Sequence, residues 1–231
     1  CIRDSLRRDG SSKFGPDSKY GLFPAASAGW AIDREAFFPE NKIVDDLKVR
    51  ASYGVTGNNN GIGEYDHLGL ISPVNTGFGS IGYNAINIEN SNLQWEKLVE
   101  VNPGLDASLF GGRMNLSFDY YQRNSNNLLL NVPIPSVTGF ETALVNKGAV
   151  RNEGIEIELV TRNITKRNFS WTSSFIFTRN KNTLMDFAGA DGLISIVDDK
   201  RPTEWIALEG NPISSFYGYV VEKDIPLEFI T

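Results

Sequence analysis

The chain has 231 residues and a net charge of −6, with 41% apolar and 22% charged residues, the composition of a folded chain rather than a disordered or collagen-like one. No Lys/Arg stripe is available to neutralise phosphates, so nucleic acid is excluded as a partner. One cysteine, Cys1, and one histidine, His67, leave neither an internal disulfide nor a zinc-type ligand set, and no metal or cofactor is expected.

The first six residues have neither the basic start nor the apolar centre of an export signal. Residues 8–30, with the runs Arg8-Asp9-Gly10-Ser11-Ser12-Lys13-Phe14-Gly15 and Lys19-Tyr20-Gly21-Leu22-Phe23-Pro24, are treated with the resemblance below. Residues 33–38 offer one helical turn, capped by Asp33 and ended by Pro39. Residues 47–53 alternate with period two, Lys48 and Arg50 standing on the polar side. A long aperiodic segment, 56–92, rich in Gly and Asn, follows.

In 99–109, Val99, Val101, Leu105 and Leu109 oppose Glu100, Asn102, Asp106 and Ser108. Phe110-Gly111-Gly112-Arg113 is a tight hairpin turn. The clearest strand comes next: Met114, Leu116, Phe118 and Tyr120 on one face, with Arg113, Asn115, Ser117 and Asp119 on the other. After a second long segment, 131–146, residues 155–159 alternate again, with Glu156 and Glu158 on the polar side. A short polar turn, 163–168, leads into 169–178, where Phe169, Trp171, Phe175 and Phe177 are in register, and 182–212 is a third long segment.

These strands span roughly 8 to 12 residues, against the 5 or 6 usual in soluble sheets, and a tilted strand needs about 9 to 11 to cross a bilayer. Nothing approaches the run of about 18 apolar residues that a helical span needs, a test blind to strands. Strand pattern alone leaves a half-buried soluble sheet and a membrane sheet equally open. The connections decide, because short turns alternate with long loops, as an outer-membrane barrel requires, with short turns periplasmic and long loops extracellular. The expected fold is therefore all-β: an antiparallel up-and-down segment of transmembrane β-barrel.

Residues 8–30 resemble the characteristic barrel segment of SusC/RagA-type TonB-dependent outer-membrane transporters. The resemblance continues in order through 47–58, Asn92-Leu93-Gln94-Trp95-Glu96-Lys97, Gly104-Leu105-Asp106, Asp119-Tyr120-Tyr121, Leu128 to Pro133, Asn146-Lys147-Gly148 and Asn152-Glu153-Gly154-Ile155-Glu156, weakening after Lys181. It implies that residues 1–231 are part of a barrel domain, eight to ten strands of it, with the plug domain and the barrel-closing strands not recognisable in them. It also implies integral residence in the bacterial outer membrane, uptake of a large glycan or peptide with a SusD-like surface lipoprotein, and energy from the TonB complex through the plug.

On that reading Leu116, Phe118, Ile157 and Phe175 face lipid, while Lys48, Arg50, Asp119, Glu156 and Glu158 face a hydrated lumen or the plug that fills it. Trp30, Tyr53, Tyr120, Tyr121 and Trp171 are placed in interfacial aromatic girdles. Asn59, Tyr65, Tyr83 and Trp205, in the outer loops, are the candidate substrate contacts, their amides and rings suiting sugar hydroxyls and apolar sugar faces; a structural loop role is the commoner fate of any one of them. An enzyme is not expected: the carboxylate pairs Glu156/Glu158 and Asp198/Asp199 read as wet-face neighbours, and His67, a solvated loop residue, has no nucleophile elbow beside it. The competing reading is a secreted, soluble all-β carbohydrate-binding module.

Overall fold

Period-two alternation becomes one antiparallel sheet of seven long strands in the computed structural model, which describes residues 1–39, 43–77, 79–187, 193–195 and 205–216. The strands are β1 (Ile2–Gly10), β2 (Tyr20–Ala31), β3 (Val44–Asn58), β4 (Ile71–Asn75), β5 (Ile81–Ala85), β6 (Glu96–Leu109), β7 (Met114–Asn126), β8 (Leu129–Pro133), β9 (Thr142–Asn146), β10 (Ala149–Lys166), β11 (Phe169–Asp186), β12 (Leu193–Ser195), β13 (Trp205–Ala207) and β14 (Ser215–Phe216). The wall has the order β1-β2-β3-β6-β7-β10-β11, each strand paired with the wall strand before it in sequence. Among the described residues it therefore has seven strands, not eight to ten, because three of the long segments fold into small sheets of their own.

Those small sheets correct the picture of aperiodic loops. Segment 56–92 contains the hairpin β4–β5, segment 131–146 is largely the hairpin β8–β9, and segment 182–212 contributes to the sheet β12-β13-β14. The helical turn shrinks to a single 3-10 turn, Ile32–Arg34, and Asp33 does not cap it; its Oδ1 accepts the backbone N–H of Leu47 at 3.1 Å. Asp198 and Asp199 lie outside the described residues.

Connections alternate between the two ends of the wall, with the two tightest turns at one end and the two longest segments at the other. The β6–β7 and β10–β11 turns share one end with the β2–β3 connection, while 11–19, 59–95 and 127–148 lie at the other. Phe110, Gly111 and Gly112 all take left-handed backbone, φ 60°, 70° and 72°, which favours glycine at the last two. The carboxylate of Asp45 holds that turn, accepting the N–H of Gly111 at 2.7 Å and of Gly112 at 3.0 Å.

The two faces differ in kind. Pairing puts Ile2, Leu6, Trp30, Val49, Tyr53, Val101, Phe118, Trp171, Phe175 and Phe177 on one side, and all of them are exposed; Ile2 is 84% and Phe175 58% accessible. A water-soluble sheet would cover such a face. Among the described residues the only charge within its apolar band is Asp4, on the edge strand β1.

The upper edge of that band reports strand tilt. On β11 the outward face changes from Phe177 to Arg179, and on β1 from Leu6 to Arg8. In register, Arg179 is level with Ile155, Tyr120, Ala51, Ala28 and Ile2, so the edge climbs about six residues over six strand spacings. That is about 20 Å along the strands for about 29 Å across them, a tilt of about 35°, within the range of outer-membrane barrels. From Trp171 to Arg179 is about 26 Å along β11, or about 22 Å of height at that tilt, close to the apolar belt of such barrels. Wall strands of up to 18 residues exceed the expected 8 to 12 because β10 and β11 continue above this band.

Candidate functional site

Lys48, Arg50, Asp119, Glu156 and Glu158 all fall on the second, polar face, as the alternation predicts. Arg50 is its organising residue. Register places Arg50, Gly104 and Asp119 level on β3, β6 and β7, and the guanidinium reaches across the glycine to fork onto Asp119, Nη1 to Oδ1 and Nη2 to Oδ2 both at 2.6 Å. Its Nε donates to Asp106 Oδ2 at 2.9 Å, and Nη2 to Asp106 Oδ1 and Ser117 Oγ at 3.2 Å each, while Ser117 Oγ donates to Asp106 at 2.9 Å. A Cβ on Gly104 would stand 2.7 Å from Asp119 Oδ1 and 2.8 Å from the guanidinium, so the bidentate geometry depends on the missing side chain.

The device recurs two strands on. Tyr121, Gly154 and Asn180 are level on β7, β10 and β11, and the Tyr121 hydroxyl donates to Asn180 Oδ1 over the glycine at 3.0 Å. Tyr121 is thus on the polar face, whereas Trp30, Tyr53, Tyr120 and Trp171, the other four of the five aromatics expected in girdles, are on the apolar one; adjacent residues of a strand must point to opposite faces. Arg123 pairs with Glu100, directly opposite it, at 2.9 Å. Glu156 and Glu158 are exposed and have no partner among the described residues.

At the long-loop end sits the cluster of buried side chains Phe14, Phe23, Ile62, Leu93 and Trp95, with Val55, Leu129 and Leu144 packed against it. Trp95 meets Phe14 at 5.1 Å and Phe23 edge-on at 5.6 Å, contacts that add to area burial. Polar clamps tie the β8–β9 hairpin to the segment before β6. Glu96 accepts the N–H of Leu129 at 2.8 Å, Asn146 exchanges hydrogen bonds with the Gln94 backbone at 2.7 and 2.9 Å, and Asn90 donates to the Leu144 carbonyl at 3.0 Å. Between this hairpin and the segments that flank β4–β5 is a cavity of about 290 Å³ lined by Asp66, Leu70, Ile86, Asn87, Asn131 and Thr142, among others.

The four loop candidates are dispersed. Asn59 is half-buried, its amide nitrogen donating to Ser11 Oγ at 3.0 Å. Tyr65 and Tyr83 are exposed, the latter on β5. Trp205, on β13, stacks on Phe216 at 4.3 Å. No hydrogen bond or ring contact joins any two of the four among the described residues. His67, expected to be solvated, is half-buried, with Nδ1 enclosed and unpartnered. Gly104 and Ser117 were not singled out as site residues from the sequence, although an interior glycine in a strand signals close approach.

Residues 4–215 match the family described as "TonB dependent receptor-like, beta-barrel". The chain is 38% identical over 221 residues to TonB-dependent receptor P39 of Formosa agariphila, covering 94% of the chain and 20% of that protein. It is 34% identical over 194 residues to TonB-dependent receptor SusC of Bacteroides thetaiotaomicron, covering 81% of the chain and 19% of SusC. Among solved structures it resembles the RagAB peptide transporter, with a TM-score of 0.80 and 30% identity over 93% of this chain and 23% of that one. In the "open-open" state of the RagAB peptide importer the TM-score is 0.82, at 29% identity. The chain spans about a fifth of the length of the curated relatives it matches.

Proposed function

The chain belongs to the TonB-dependent receptor β-barrel family, in its SusC/RagA branch, and from that premise we propose that it forms part of the wall of an outer-membrane importer of large nutrients, glycans or peptides. The single observation that carries this reading is the two-faced sheet: an uncovered apolar band with strands tilted about 35°, backed by a hydrogen-bonded polar face. The apolar face contacts outer-membrane lipid, and Lys48, Arg50, Asp119, Glu156 and Glu158 line the hydrated interior or meet the plug. The short turns are periplasmic and the long connections extracellular. A SusD-like surface lipoprotein captures substrate with the outer loops, and the TonB complex supplies energy through the plug.

Substrate contacts in the loops fall to Tyr65 and Tyr83, whose exposed rings suit stacking. Trp205 joins them from β13, and Asn59 contributes its amide oxygen, since its nitrogen is held by Ser11. A secreted binding module is disfavoured because so wide an exposed apolar face would aggregate in water.

The test is made in the full-length receptor that contains this segment. It is expected to fractionate with the outer membrane as a heat-modifiable, protease-resistant species, and a Tyr65→Ala/Tyr83→Ala variant is expected to take up its oligosaccharide or peptide nutrient several-fold more slowly at unchanged abundance. Recovery as a soluble monomer would overturn the barrel-wall reading. Unchanged uptake by the variant would remove the two tyrosines from the site.

A further inference from the structure

The cavity of about 290 Å³ at the long-loop end is not used by the contacts assigned to Tyr65, Tyr83, Trp205 and Asn59. Its floor is aliphatic, from Leu70, Ile86, Ile88 and Leu144, and its free polar groups come from two separate loops. Asp66 stands on the 59–95 side. Asn131 and Thr142 share one face of the β8–β9 hairpin, level with Leu144 and Pro133 respectively. Ligand sites span roughly 300 to 1,000 Å³, so a space at the lower limit takes one sugar ring or one side chain and not a length of chain.

Each wall is fixed before any ligand arrives. Asp66 Oδ2 accepts the N–H of Gly63 at 2.7 Å. A Cβ on Gly63 would stand 2.7 Å from Asp66 Oδ1 and 2.9 Å from Oδ2, so the carboxylate keeps this place only against glycine. Asn87 Oδ1 accepts the N–H of Leu70 at 2.7 Å while its Nδ2 donates to the Leu68 carbonyl at 2.8 Å, which joins the two segments flanking β4–β5. The hairpin is anchored through Leu129 and Leu144 on the loop core and through Asn90 on the Leu144 carbonyl. Pre-formed walls lower the ordering cost of binding. Among the described residues no hydrogen bond takes up Asp66 Oδ1, the side-chain amide of Asn131 or the hydroxyl of Thr142, and the last two residues are exposed.

Resting on the importer reading, we propose that this cavity holds one ring of a neutral hexose oligosaccharide, with Asp66, Asn131 and Thr142 as its hydrogen-bonding residues. A ring hydroxyl donates to Asp66 Oδ1, neighbouring hydroxyls exchange hydrogen bonds with Asn131 and Thr142, and the C–H face of the ring lies on Leu70 and Ile86. A carboxylate only accepts, whereas an amide and a hydroxyl both donate and accept; adjacent sugar hydroxyls satisfy all three. Charge selects among the alternatives. Residues 59–95 contain no Lys or Arg but three acids, Glu64, Asp66 and Glu89, so a uronate, a sulfate or a peptide carboxylate would meet like charge and no cation. A lysine ammonium would pair with Asp66 and present only methylenes to Asn131 and Thr142.

The experiment uses the full-length receptor purified from outer membranes in a detergent without sugar groups. Isothermal titration calorimetry measures its affinity for hexasaccharides of glucose, galactose and mannose, for the hexamers of galacturonic acid and glucosamine, and for hexalysine. At least one neutral hexasaccharide is expected to bind about tenfold or more tightly than the charged probes. Asn131→Ala/Thr142→Ala is expected to weaken it about tenfold, the effect of two lost hydrogen bonds. Asp66→Asn, which removes the charge, is expected to narrow the gap to the galacturonic acid hexamer. Equal binding by wild type and the alanine pair, both heat-modifiable, overturns this site and leaves the importer reading standing. Tightest binding of the glucosamine hexamer or hexalysine overturns the assignment to a neutral sugar, and so does failure of every neutral hexasaccharide to bind. A receptor absent from the outer-membrane fraction overturns the barrel-wall reading, and this inference with it.

Discussion

The two faces of the wall solve different problems with the same seven strands. The outward band is held by chemistry in bulk: one apolar side chain can replace another there. The specific contacts sit at its borders, Trp30 Nε1 donating to Glu35 at 2.8 Å at one and Arg151 Nε to Asn124 at 2.9 Å beyond the other. The inward face is held by particular contacts, Arg50 over Gly104 to Asp119 and Tyr121 over Gly154 to Asn180, each needing three residues on three strands in one register. Sensitivity to mutation should therefore follow polarity outside and geometry inside.

The sharpest test uses two residues adjacent in β10 but opposite in facing. Ile157 is level with Phe118 and Phe177 in the apolar band, whereas Glu158 is level with Ser117 on the polar face. Ile157→Arg should cost about 2–4 kcal/mol of folding stability, the range for a cation near the bilayer midplane. Glu158→Gln should stay within about 0.5 kcal/mol, being exposed and unpaired. Reversible denaturant unfolding of the full-length receptor in lipid vesicles measures both; equal costs would mean that the faces have been assigned wrongly.

A smaller effect separates geometry from polarity on the inward face. A Cβ on Gly154 would collide with the Arg179 carbonyl oxygen and stand 2.7 Å from the Tyr121 hydroxyl. Gly154→Ala adds one apolar methyl, yet should cost about 1–3 kcal/mol as overpacking. Adding Tyr121→Phe should recover only part of this, since the backbone carbonyl cannot step aside. Full recovery in the same unfolding assay would place the clash at the tyrosine alone.

What the sequence made legible follows from the range of each cause. Facing is local, because period two is written into consecutive residues; hence Lys48, Arg50, Asp119, Glu156 and Glu158 were all placed on one side. Tyr121 shows how strong that parity is: its aromatic character suits a girdle, yet its odd position puts it on the polar face with Asp119. Pairing is not local: Arg50 and Asp119 are 69 residues apart, and nothing near either announces the other. The loop core was hidden for the same reason, since Phe14, Phe23, Ile62, Leu93 and Trp95 come from separate segments with no common period. Asn59 looked like a free amide only because its partner Ser11, 48 residues away, belongs to another loop.

The least costly break falls on the Arg50 fork itself. The pair is partly hydrated, with side-chain accessibilities of 32% for Arg50 and 18% for Asp119, so solvent screens it and the coupling lies between that of a surface pair and a desolvated one. A double-mutant cycle of Arg50→Ala and Asp119→Ala isolates that coupling from the loss of each side chain and should give about 1 kcal/mol. Because Asp106 also holds Arg50, Asp119→Ala alone should leave the guanidinium anchored and cost less than Arg50→Ala, which strands two carboxylates together. If Asp119→Ala proved the more damaging, Asp106 would not suffice to hold the guanidinium, and like-charge repulsion between Asp119 and Glu156, level with it on β10, would be ruled out as the force Arg50 is there to offset.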